Sequence, residues 1–223
     1  MKLINLEKIL ENKYNHLLIG EILLILGFPF VEGLKIEFPV LGCFFLIIMI
    51  PALHVILSFR AFVSLMSLGV CVLILRTLVY FTVFPNEIGQ AVIILTDFFC
   101  ASFLLFTITV LIKRISSRKV ITSDTIKGGI SVYLLIGMFW TFLYMIALGF
   151  NPNAFSNITN EIVDCYYYSF TTLTTLGPGD ISPLTTSTKF LAIFEAFSGQ
   201  VYLAIFIAQL MGLHLGKKLR ETE

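Results

Sequence analysis

Apolar residues run along the chain in six long blocks, broken by polar stretches. The blocks cover about 16–31, 38–58, 61–84, 88–112, 126–150 and 187–215. The first is short, and each is near the ~20 residues that a helix needs to cross hydrocarbon. Ahead of them, residues 1–15 place Leu3, Leu6, Ile9 and Leu10 on one helical face, with Lys2, Glu7, Lys8, Glu11 and Lys13 mostly on the other. That pattern fits an interfacial amphipathic helix or an ordinary polar lead-in. The break between the fifth and sixth blocks differs from the rest. It holds a segment from Glu161 to Leu173 that is too short to span, followed by a run rich in threonine and glycine. The pattern predicts an all-α membrane protein of six transmembrane helices, with a re-entrant loop between the fifth and sixth.

Composition agrees. Hydrophobic residues make up 57% and charged ones 13%, against about a quarter charged in globular proteins. A net charge of +1 gives no reason to expect nucleic acid. Cys43, Cys71, Cys100 and Cys165 lie in apolar surroundings without a CxxC pair, which reads as small buried hydrophobes. The first block lacks a small-residue cleavage site, so a removable signal peptide is not expected. Basic residues set the orientation. Lys113, Arg114, Arg118, Lys119 and Lys127 fall between the fourth and fifth blocks, Lys217, Lys218 and Arg220 after the sixth, Lys2, Lys8 and Lys13 before the first, and Arg60 between the second and third. An even number of spans puts all four regions on one side, which the positive-inside rule makes cytoplasmic. The expected location is the cell membrane, multi-pass, with both termini cytoplasmic. The stretch between the last two blocks then opens outward.

That stretch reads Thr171-Thr172-Leu173-Thr174-Thr175-Leu176-Gly177-Pro178-Gly179-Asp180. Glycine reaches positive φ without penalty, and a backbone alternating between negative and positive φ aims successive carbonyl oxygens the same way. A cation shedding its water needs such an array. Gly-Pro-Gly-Asp alone reads as a turn between helices; the threonines before it and the apolar blocks on both sides change that reading. The stretch resembles the filter of the potassium-channel superfamily, T-x-G-Y/F/L-G followed by Asp. The flanks match too, in Tyr166-Tyr167-Tyr168-Ser169-Phe170 before it and Ile181-Ser182-Pro183 after it. The specific resemblance covers about residues 126–215, and the first 125 match only in span count.

The resemblance implies a homotetrameric channel passing permeant K⁺ without other cofactors. Its filter would be Thr174, Thr175, Leu176, Gly177, Pro178, Gly179 and Asp180, with K⁺ at the carbonyls of Thr175, Leu176, Gly177 and Pro178 and at the Thr175 hydroxyl. Thr172 and Glu195 would support the pore. Glu195 is ionisable and intramembrane, so it must face protein or water, and it is expected behind the filter near the pore-helix hydroxyls. Gly199 matches the gating hinge of the family, and close helix packing is the alternative. Pro178 departs from the pattern. It keeps its carbonyl and a fixed φ near −65°, but the aromatic brace to the pore helix is lost and the outer mouth is expected to be less well anchored. The implied division is 1–15 lead-in, 16–112 four-helix region, 113–125 basic linker, 126–216 pore domain and 217–223 tail.

The front four blocks show no arginine ladder. Arg76 and Asp97 fall at similar depth on adjacent antiparallel spans and are expected to pair, which serves packing; a voltage sensor needs several mobile charges. Glu21 and His54 are intramembrane as well, with satisfied buried contacts expected and proton sensing the alternative. An enzyme would need a nucleophile–base or metal cluster, and His16, His54 and His214 are scattered. A transporter would show paired repeats, and none is evident. The expected function is a potassium-selective or potassium-preferring cation channel, with a weakly selective monovalent cation channel as the alternative. The expected partners are the lipid bilayer, further copies of the chain and monovalent cations.

Overall fold

The computed structural model describes residues 13–33, 59–81, 85–118 and 122–221. The block at 38–58, His54 and residues 1–12 of the lead-in lie outside the described residues. The described chain is all-helical: α1 Lys13–Gly33, α2 Phe59–Tyr80, α3 Asn86–Ser116, α4 Ser123–Phe150, α5 Glu161–Leu173 and α6 Thr186–Glu221. Among these residues, three helical stretches are long and apolar enough to cross a membrane, Ile88–Ser116, Ser123–Phe150 and Thr186–Leu215. Shorter apolar helices cover Tyr14–Gly27 and Met66–Val79. At 1.5 Å per residue, the 28 residues of α4 reach about 42 Å, beyond the ~30 Å of hydrocarbon. The 13 residues of α5 reach only about 20 Å and cannot span.

Local chemistry sets the ends. α3 begins directly after Pro85, which sits at its N-cap with φ −55°, and carries Lys113 and Arg114 in its last turn, where cations suit the dipole. α4 begins three residues ahead of its apolar block because Thr122 and Thr125 form a reciprocal cap. Thr125 N–H donates to Thr122 Oγ1 at 3.2 Å, and Thr122 N–H donates to Thr125 Oγ1 at 3.4 Å.

α4 is the centre of the fold. It packs along α3 and also meets α1, α5 and α6, and Val132, Leu135 and Tyr144 on it are fully buried. Gly137 lets α5 come close: a Cβ there would lie 2.8 Å from Phe170 Cζ. Toward the C-terminal end of α4 three rings meet edge to face. Tyr144 lies 5.4 Å from Phe155 and 5.0 Å from Tyr168, and Phe155 lies 5.0 Å from Tyr168. This cluster joins α4, the loop before α5, and α5 itself. α6 also touches α4 and α5, but Phe190, Ile193, Phe194 and Phe197 on it are exposed in the single chain. Their i, i+3, i+4, i+7 spacing makes one apolar stripe.

Candidate functional site

The site is built around α5. Its start is fixed by two acceptors. Asn160 Oδ1 takes the Val163 N–H at 3.3 Å, and Asp164 Oδ2 takes the N–H groups of Thr159 and Asn160 at 2.6 and 2.8 Å. Glu161 and Asp164 place negative charge at the positive end of the helix dipole. Its last turn is held from α4, where the Tyr133 hydroxyl donates to the Leu173 carbonyl at 3.2 Å.

The chain then leaves helical geometry. Thr174 caps α5, and Thr175 turns left-handed with φ +59°. A left-handed residue just past the cap is a common helix stop, usually filled by glycine; a β-branched residue there is strained. Gly177 is left-handed as well, with φ +74°, whereas Gly179 is not. The alternation therefore starts one residue pair earlier than the glycines alone imply, because the helix must be terminated at Thr175. Thr172 accepts the Thr175 N–H at 3.0 Å and Thr171 accepts the Gly177 N–H at 3.1 Å, so the loop is tied to the last turn of α5. Thr174, Thr175, Leu176, Gly177, Gly179 and Asp180 are exposed in the single chain and Pro178 is half-buried, with Leu176 at 77%.

Behind the loop lies a buried polar cluster. Glu195 on α6 is fully buried. Its Oε1 is 2.5 Å from Ser169 Oγ on α5, and its Oε2 accepts from the Tyr144 hydroxyl on α4. Ser169 Oγ also lies 2.7 Å from the Gly137 carbonyl. Three helices thus converge on one carboxyl group. One turn on, the Trp140 indole N–H donates to Ser198 Oγ at 3.1 Å. Gly199 sits against the end of α5: a Cβ there would be 2.7 Å from Leu173 Cδ1 and 2.9 Å from the Leu173 carbonyl. α6 is one continuous helix through this point.

The C-terminal end of the loop is fastened to the segment before α5. Ser156 N–H donates to the Ser182 carbonyl and Ser182 N–H donates to Ser156 Oγ, both at 2.9 Å. An antiparallel bridge pairs Phe155 with Pro183, and Leu184 N–H donates to the Ala154 carbonyl at 2.9 Å. Asn157 Nδ2 donates to the Asp180 carbonyl at 2.7 Å.

Away from the loop, Arg76 on α2 donates through Nη2 to Asp97 Oδ1 and through Nε to Thr96 Oγ1 at 3.1 Å. Glu21 on α1 is fully buried beside Ser131, yet neither carboxyl oxygen reaches a hydrogen-bond partner. The satisfied contact expected for Glu21 is therefore absent. Among the described residues, no three His, Cys, Asp or Glu side chains form a metal-ligand group. Sequence reasoning passed over Tyr133, Tyr144, Ser169 and Asn157 as individual groups. The signal available for the first two is weak, a hydroxyl inside an otherwise apolar span.

Residues 128–213 match the family described as "Ion channel". Over 78 residues the chain is 31% identical to two pore potassium channel a of Oryza sativa subsp. japonica, covering 35% of this chain and 21% of that protein. Over 45 residues it is 47% identical to two-pore potassium channel 4 of Arabidopsis thaliana, covering 20% of this chain and 16% of that protein. The match thus spans about a fifth or less of either relative's length. No solved structure matches. Residues 128–213 are thus similar to an ion-channel family, within an all-helical chain that has three stretches long and apolar enough to cross a membrane among its described residues.

Proposed function

We propose that four copies of the chain assemble around a common axis as a potassium-preferring channel, with Thr174–Asp180 of each copy forming the filter. K⁺ would be carried by the carbonyls of Thr175, Leu176, Gly177 and Pro178 and by the Thr175 hydroxyl. The observation that carries this reading is the loop itself: non-helical, left-handed at Thr175 and Gly177, and exposed in the single chain. In hydrocarbon such a backbone is tolerated only when buried in protein or lining water. Neighbouring copies supply both conditions. The exposed stripe of Phe190, Ile193, Phe194 and Phe197 gives those copies an apolar surface to meet.

In this reading residues 126–216 are the pore domain, 16–112 a four-helix region that does not sense voltage, and both termini face the cytoplasm of a cell membrane. Gly199 is the point about which α6 bends on gating. Weak selectivity among monovalent cations is the second reading, favoured by Pro178, whose side chain cannot tie the filter to α5. The test is purified protein in liposomes. K⁺-driven flux from four-fold particles supports the proposal, and conducting monomers or dimers contradict it.

A further inference from the structure

From the hydrogen bonds at the outer end of the filter, we infer that Asn157 is a positioning residue for ion selectivity, holding the filter through the Asp180 carbonyl. The inference rests on the filter reading above. Pro178 has no side-chain hydrogen-bond donor or acceptor, so the outer filter needs a support that does not come from the residue between the glycines. Asp180 is held from two directions. Its carboxylate faces the Tyr167 hydroxyl of α5, and its carbonyl accepts the Asn157 amide at 2.7 Å.

The local backbone is arranged for that second bond. Ser156 is engaged with Ser182 on both sides of the bridge, through its N–H and through Oγ. For the next residue to turn back toward Asp180, the chain takes a left-handed step, and Asn157 has φ +55°. Asparagine is one of the few residues other than glycine that enters this region readily. It alone among those residues also offers an uncharged –NH₂ donor on a side chain of this length. Three bonds from two consecutive residues therefore fix Asp180 and Ser182, and the Asn157 bond is the one nearest the ion path. A shift of the Asp180 carbonyl passes directly to Gly179 and Pro178. This makes Asn157 a determinant of where the outer carbonyls sit, without touching an ion.

The test uses the full chain in bilayers, with K⁺/Na⁺ permeability ratios taken from reversal potentials. Asn157→Gly keeps the left-handed backbone and removes the donor. Asn157→Asp keeps the shape and sets a carboxylate oxygen against a carbonyl oxygen. Both should lower the ratio, by about three- to tenfold, the scale of one lost hydrogen bond. Asn153→Asp places the same charge change elsewhere in the same loop and should leave the ratio unchanged. In Asn157→Asp the ratio should recover on external acidification, because a protonated carboxyl again carries a donor. Wild type at the same pH serves as reference, which removes the titration of Glu161, Asp164 and Asp180. Unchanged ratios in both Asn157 variants, or smaller currents with no shift in reversal potential, overturn the inference while leaving the filter reading intact. A wild type that does not conduct defeats the filter reading itself.

Discussion

Two carboxyl side chains are buried against α4, and the structure treats them differently. Glu195 has a hydroxyl on each oxygen, one from α4 and one from α5. Glu21 has none on either, although it is just as deeply enclosed. A carboxyl group inside a membrane protein is costly in both places. Around Glu195 that cost is offset by ties that cross three helices and hold α5, which leads into the Thr174–Asp180 loop. Around Glu21 the one neighbouring hydroxyl, that of Ser131, lies close without completing a hydrogen bond, so no comparable tie joins α1 to α4 there. Burial alone therefore does not mark a supporting residue; the donors arranged around it do.

The contrast is tested first where the effect is largest. Glu195→Leu strands the Tyr144 hydroxyl in the interior, at about 1–3 kcal/mol, leaves Ser169 only the Gly137 carbonyl, and should lower the thermal stability of the solubilised protein and abolish selective conduction. Glu195→Gln keeps an acceptor for Tyr144 and should retain most of both. If Leu and Gln behave alike, the cluster is not what holds the proposed filter.

Gly199 lies on the same flank one turn later, and its substitution sharpens the comparison. In Gly199→Ala the added methyl meets Leu173, including its carbonyl. Overpacking of this kind costs about 1–3 kcal/mol, and the strain falls on Leu173, just before the Thr174–Asp180 loop. Lower stability together with altered K⁺/Na⁺ selectivity is expected. A change in open probability alone, with stability and selectivity kept, would assign Gly199 to hinge motion and not to packing.

The smallest effect is expected on the other side. Glu21→Leu combined with Ser131→Ala replaces unpartnered polar groups by apolar ones, which is close to neutral or slightly stabilising, within about 1 kcal/mol. Thermal melts of the double variant decide this, and a loss as large as that of Glu195→Leu would erase the distinction between the two carboxyls.

The all-helical membrane fold was legible in the sequence because the apolar blocks are long and their breaks are chemically marked. The short helix could be placed at Glu161–Leu173 because acidic residues stand at its start and the threonine–glycine run at its end. Glu195 could be assigned to a protein-facing position, since lipid would not accept it. Its partners could not be named. Tyr133 and Tyr144 are two hydroxyls in a long apolar helix rich in aromatics, and only the rotation of α4 against α5 decides which reach inward. Asn157 is one of four asparagines between Asn151 and Asn160, and composition does not separate the one that meets Asp180. The left-handed Thr175 was hidden because glycine is where positive φ is expected, whereas here the need to stop α5 forces it on a threonine. The missing partner of Glu21 was hidden for a related reason: satisfaction is a property of neighbours, not of sequence.

The most direct test of the central claim is the reversal potential of the purified full chain in planar bilayers as K⁺ on one side is replaced by Na⁺. A filter at Thr174–Asp180 that prefers potassium predicts a potential moving toward about 59 mV for each tenfold change in K⁺. A potential that stays near zero as Na⁺ replaces K⁺ would contradict it.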